Sequence, residues 1–117
     1  MRKLIMPWPP SMNRYWRSVN GRVLISAAGR HYRTNVALAA AIGKWPSWEG
    51  KLISVSIEAW LPDQRKRDLD NLFKSSLDSL THAGIWNDDS QIHELHIRNM
   101  GLDRAKPRLE LTIKEFV

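Results

Sequence analysis

A chain of 117 residues, 43% hydrophobic and 26% charged, is long enough for one domain with a single core, 1–117, and too ordinary in composition for wholesale disorder. The lack of cysteine excludes disulfides and thiolate metal sites. No apolar run approaches the roughly 20 residues of a membrane span, and only a few apolar residues follow Met1-Arg2-Lys3, so a soluble, cytoplasmic protein without membrane anchor or signal peptide is expected.

The net charge of +6 is unevenly spread. Residues 1–48 hold eight Lys and Arg and no acid, whereas the remainder holds ten basic and twelve acidic residues. A half-chain so one-sidedly cationic is the footprint of a nucleic-acid binder, because each neutralised phosphate releases condensed counterions.

Residues 3–6 predict a short strand ended by Pro7-Trp8-Pro9-Pro10. A polar, aromatic and basic stretch follows, and Asn20-Gly21 between Val19 and Val23-Leu24-Ile25 is a strong hairpin signal, so a mobile basic hairpin or loop is expected. Ser26 is placed to cap a helix over 27–42 that Gly43 stops. Arg30, His31 and Arg33 sit early in that helix, where cations oppose its dipole; phosphate contact is the expected compensation. Trp45 and Trp48 flank Pro46 in a connector. Between 51 and 61, Ile53, Val55, Ile57, Ala59 and Leu61 alternate with Ser54, Ser56, Glu58 and Trp60 as in a half-buried strand.

A second helix is expected over 69–83, its core stripe formed by Leu69, Leu72, Phe73, Ser76, Leu77 and Leu80. Gly84 suits the left-handed stop and Ile85 the accompanying apolar contact. Two last strands near 91–99 and 108–116 complete an α+β fold, a mixed α/β layer with a small sheet of three to four strands and two main helices.

Four aspartates in two clusters carry the chemistry. Asp68 and Asp70 open the second helix beside Arg65, Lys66 and Arg67, and Asp88-Asp89 follow it. Carboxylates are natural ligands for magnesium, which fills its shell with waters, one or two carboxylates and a substrate phosphate. Acids facing a polyanion next to lysines and arginines therefore suggest metal-dependent phosphodiester chemistry. The plain alternative is that Asp68 caps the helix through its side chain and Asp70 answers the dipole. Lys74, one turn after Asp70, would contribute only about 0.3 to 0.5 kcal/mol as an exposed ion pair, which is a weak reason for its presence. His82, His93 and His96 match no zinc pattern. Of the tryptophans, Trp60 and Trp86 are expected in packing or a subunit contact, and Trp16 is a candidate for stacking on bases.

The segments Arg67-Asp68-Leu69-Asp70-Asn71-Leu72-Phe73-Lys74 and Gly84-Ile85-Trp86-Asn87-Asp88-Asp89 resemble the core of the RusA family of Holliday junction resolvases. Pro7-Trp8-Pro9-Pro10-Ser11-Met12-Asn13-Arg14-Tyr15 resembles the family's start and Arg108-Leu109-Glu110-Leu111-Thr112-Ile113 its last strand, so the resemblance runs over nearly the whole chain. It implies a homodimeric, magnesium-dependent endonuclease of bacterial or phage origin that nicks a four-way DNA junction symmetrically, in recombination and repair. The matched positions are Asp68, Asp70 and Asp89 as essential acids and metal ligands, Lys74 as the catalytic lysine, and Asp88 as a further acid. Arg14, Arg17, Arg22, Arg30, Arg33, Arg65, Lys66 and Arg67 are the expected DNA contacts. A helix over 69–83 would be about 22 Å long, so Asp89 can barely return to Asp70 within one chain. A site shared between two-fold related subunits is the alternative to one closed within a subunit. The rival readings are a non-catalytic basic DNA-binding module and a nuclease for other branched DNA.

Overall fold

Ile53, Val55, Ile57, Ala59 and Leu61 all lie in the core, which makes their strand, β4 (Ile53–Leu61), the centre of the molecule. It runs antiparallel to β6 (Arg108–Glu115) and parallel to β5 (Ile92–Leu102), and β1 (Leu4–Pro7) closes the other side against β6 in the order β1-β6-β4-β5. Pro7 is the last residue of β1, not a break after it; it faces Arg108, and an edge strand tolerates the missing amide hydrogen. The computed structural model describes residues 3–117; Met1 and Arg2, on which the signal-peptide expectation partly rests, lie outside the described residues. The expected α+β layer is thus present, with four strands in the main sheet.

The hairpin forms a separate two-stranded sheet, β2 (Trp16–Val19) with β3 (Arg22–Ile25). Its turn holds Asn20 at φ 51° and Gly21 at φ 73°, the two positive angles that a tight two-residue connection demands. A single helical turn, α1 (Met12–Tyr15), precedes it. Ser26 caps α2 (Ala27–Ile42) as expected: its Oγ accepts the Gly29 amide hydrogen at 3.0 Å and donates to the carbonyls of Tyr15, at 2.8 Å, and Arg14. A side chain at Gly29 would collide with the Tyr15 carbonyl and come within 2.7 Å of Ile25, so glycine is what lets α2 seat against α1 and β3.

Helix α2 ends at Ile42 as expected, but the left-handed turn comes one residue after the glycine. Gly43 keeps a right-handed φ of −76° and the left-handed residue is Lys44, at φ 51°. The amide hydrogens of Lys44 and Trp45 bond back to Ala41 and Ala40, and the Trp45 ring lies where a Cβ at position 43 would be. Glycine is required there for the tryptophan, not for the turn.

Helix α3 (Asn71–His82) links the parallel strands β4 and β5. Its end matches expectation: Gly84 has φ 80°, its amide hydrogen bonds to the Thr81 carbonyl, and that of buried Ile85 reaches Leu80. Trp86 is buried beside it and donates to Thr81 Oγ1 at 2.7 Å. No helix among the described residues is long and apolar enough to cross a membrane.

Candidate active site

The approach to α3 is built by main-chain groups. The carbonyls of Asp68, Leu69 and Asp70 accept the amide hydrogens of Asn71, Leu72 and Phe73 at 3.0 to 3.1 Å. Asp70 occupies the cap position and its side chain makes no capping bond. The capping role weighed from sequence is therefore filled by the backbone, and the helix starts at Asn71 rather than Leu69. Asp68, Asp70 and Lys74 are all exposed, and Lys74 forms no ion pair among the described residues.

Asp68 borders a groove of about 1330 Å³ that is also lined by the Trp8–Arg14 segment and by Arg65, Lys66 and Arg67. The loop before α3 is knotted on Asp63. Its carboxylate accepts the Arg65 amide hydrogen at 2.9 Å and pairs with the Arg67 guanidinium at 2.8 Å, and these contacts, Arg67 first, hold the Asp63 carboxyl down at about 2. The Arg67 guanidinium also lies over the Trp8 ring, 5.6 Å from its centre.

The second acid pair sits in a different kind of clamp. Asp88 caps a short 3₁₀ turn, Asp89–Gln91, by accepting the Ser90 amide hydrogen at 3.0 Å. Gln91 Oε1 accepts the amide hydrogens of Asn87 and Asp88 at 2.8 and 3.1 Å, while its Nε2 donates to the carbonyls of Trp48 and Lys51 at 2.8 and 2.7 Å. This one amide side chain ties the acid-bearing turn to the connector after α2. Gln91 was missed from sequence, although Asp88 followed three residues later by glutamine is capping-box spacing. Hydrogen bonding to Asp88, then burial, pushes the Asp89 carboxyl up, whereas the Ser90 amide hydrogen holds Asp88 below the usual carboxylate range. Two carboxyls so close favour a shared positive charge.

A sequence profile described as endodeoxyribonuclease RusA matches residues 7–114. The chain belongs to the RusA endodeoxyribonuclease family. A crossover junction endodeoxyribonuclease of Enterobacteria phage 82 is 45% identical over 113 residues, covering 97% of this chain and 93% of the phage protein. Those of Escherichia coli strain K12 and Shigella sonnei are each 43% identical over 113 residues with the same coverage.

In this RusA-family chain the two acid pairs do not meet within one protomer. They flank the 12 residues of α3, about 18 Å of helix at 1.5 Å per residue. The strand register agrees: β5 begins opposite Ile53 and β4 ends at Leu61, an offset of about 26 Å at 3.3 Å per residue. Among the described residues no three histidine or acidic side chains converge as a metal cluster, the histidines of β5 included.

The basic residues divide. Arg14, Arg17, Arg22, Arg30 and Lys66 are exposed, as is Arg65, 83% by side chain. Arg33 turns inward instead. Its guanidinium contacts Asp78 Oδ2 at 2.7 and 2.9 Å and the Tyr15 hydroxyl at 3.2 Å, joining α2 to α3. Of the three cations early in α2, Arg33 is thus compensated by a carboxylate of α3. Trp16 is half-buried with its ring edge against Tyr15, and Trp60 lies under the Arg108 guanidinium on the sheet face opposite the helices.

Proposed function

We propose that this protein resolves four-way DNA junctions by paired symmetric nicks, at magnesium-dependent sites that each draw acids from both subunits of a homodimer. Family membership makes the protein an endodeoxyribonuclease, and its relatives are crossover junction enzymes; resolving such junctions belongs to DNA recombination and repair.

The observation that carries the reading is the placement of one acid pair at each end of α3, with Leu69 just before the helix and Phe73 and Leu77 on it forming a partly exposed apolar stripe that also packs against the core. Residues four apart share a helix face, so this stripe is a self-complementary surface. Two copies packed antiparallel along it about a two-fold axis bring Asp68 and Asp70 of one subunit toward the partner's Asp88 and Asp89. The donor set fits the cation: all four groups are hard carboxylates, and Asp68 and Asp70 alone supply the one or two carboxylates that magnesium takes beside a phosphate. When bound, Mg²⁺ supplies charge neutralisation at the phosphate and an acidified water as nucleophile.

Asp68, Asp70 and the partner's Asp89 would hold the cation, with the partner's Asp88 as a further ligand. Lys74 stands one helical turn beyond Asp70, where its ammonium counters charge growing on the phosphoryl oxygens. Arg14, Arg17, Arg22, Arg30, Arg65, Lys66 and Arg67 bind the arms of the junction through phosphates, and the two-fold axis matches the substrate's own approximate symmetry.

Mixing Asp70→Asn with Asp89→Asn protein and exchanging subunits tests this directly. Each homodimer should bind a mobile four-way junction and fail to cleave it in Mg²⁺. The heterodimer should regain one active centre and nick single strands. A mixture as inactive as its parents would place all acids of a site in one subunit.

A further inference from the structure

We propose that Asp63 is a positioning residue for DNA binding: it aims the Arg67 guanidinium into the groove beside Asp68, and through Arg67 sets the grip on the junction. The inference rests on the reading above only in taking Arg67 as a phosphate contact.

An acid in a DNA-binding groove is unexpected on electrostatic grounds, since each carboxylate repels the phosphate backbone. Asp63 borders the groove together with Arg65, Lys66 and Arg67, and its side chain is 37% exposed. What it does there is local. It accepts from Arg67 Nη1 at 2.8 Å and from the Arg65 amide at 2.9 Å, and its own carbonyl and that of Arg65 each receive Arg67 Nη1 at 3.4 Å. Trp8 supplies the second support, its ring 5.6 Å below the guanidinium carbon. Arg67 is consequently only 23% exposed by side chain while its neighbour Arg65 is 83% exposed.

A guanidinium has five N–H donors in a rigid fork. Among the described residues the hydrogen bonds and ion pair of Arg67 all use one terminal nitrogen, Nη1, so Nε and Nη2 are left to face a phosphate oxygen pair. A free arginine loses rotamer entropy on binding. One already fixed by an acid on one side and an indole below has lost it on folding, and it presents a planar fork in one orientation. The position next to Asp68 makes that orientation matter, because whatever phosphate Arg67 seizes is thereby registered against the acids.

The test exploits a difference of sign. Junction affinity is measured by fluorescence anisotropy in EDTA, so that binding is read without cleavage, for the parent, Asp63→Asn, Arg67→Ala and the double variant. If Asp63 acted only through its charge, removing it would tighten binding. If it positions Arg67, Asp63→Asn weakens binding by about tenfold, within the range of coupled contacting residues, and lowers the salt slope toward that of Arg67→Ala. In the Arg67→Ala background the same change has no weakening effect. Asp63→Glu, which keeps the acid on a longer stem, should recover part of the affinity, so that a fold defect in one variant does not decide the matter. Tighter or unchanged binding by Asp63→Asn, or a loss that persists undiminished without Arg67, overturns the inference. Parental affinity in Arg67→Ala instead overturns the premise that Arg67 contacts phosphate, and the inference with it.

Discussion

Arg33 and Asp78 should behave as one structural unit whose loss costs stability and not junction affinity. The pair lies at the crossing of α2 and α3, with side chains 22% and 29% exposed, and the Tyr15 hydroxyl, on a wholly buried ring, donates to the same carboxylate. Burial and that bond push the Tyr15 phenol up, so it remains a donor throughout the physiological range. Exposed pairs contribute about 0.2 to 1 kcal/mol, and breaking a fully buried pair costs about 3 to 5 kcal/mol. A pair one quarter exposed that also satisfies a buried hydroxyl falls between, so Asp78→Ala should cost about 2 kcal/mol. Near about 4 °C per kcal/mol for a chain of this length, the midpoint falls by about 8 °C. Urea unfolding of Arg33→Ala, Asp78→Ala and the double variant, at one protein concentration because the stability of the proposed dimer would depend on it, should show a coupling of about 1 kcal/mol. The folded Arg33→Ala protein should bind a junction as the parent does. Additivity within about 0.3 kcal/mol, or a marked loss of affinity with stability intact, would refute the reasoning and return Arg33 to the DNA surface.

Two further outcomes follow from the second acid pair. Asp89 has a folded-state value raised above 3.8, so its stabilising contribution is present below that pH and is lost as pH rises through the raised value. Asp89→Asn should therefore melt above the parent at pH 7 without added metal, with the gap closing below pH 3.8, and should not cleave; a lower midpoint at neutral pH would contradict the sign. Gln91→Glu keeps the acceptor for the Asn87 and Asp88 amide hydrogens but replaces the donor to Trp48 and Lys51 with a carboxylate that their carbonyls repel. Cleavage titrated with Mg²⁺ should need several-fold more metal in this variant while junction affinity in EDTA stays unchanged, and an unshifted titration would show that the turn holds without the tie.

Much of this architecture is local and was legible for that reason. Asn20-Gly21 needs no tertiary context to favour two positive φ angles, and the alternation along β4 states which side faces the core. Gly84-Ile85 ends α3 through bonds to residues three and five positions back. What the sequence did not reveal has non-local causes. Gly43 looked like a left-handed stop, and only the fold of Trp45 back over it moves that conformation to Lys44. The pairing of Arg33 was not legible because its partner Asp78 lies 45 residues away on another helix.

The same distinction governs the active site. That four aspartates are candidates for one chemistry can be read from residue type and neighbours, but whether they meet within a chain depends on the direction of β5, which periodicity does not encode. Had β5 run antiparallel to β4, a short turn after β4 would have sufficed to join them, and helix α3 would not have been needed to carry the chain back. Because it runs parallel, α3 has to return the chain to the start of the sheet, and the acids before and after it are held at opposite ends of the domain. The parallel crossover that builds the core is thus also what separates the two acid pairs along α3, and the proposed pairing of two copies along Leu69, Phe73 and Leu77, which are partly exposed at the edge of the core, is what would reunite them.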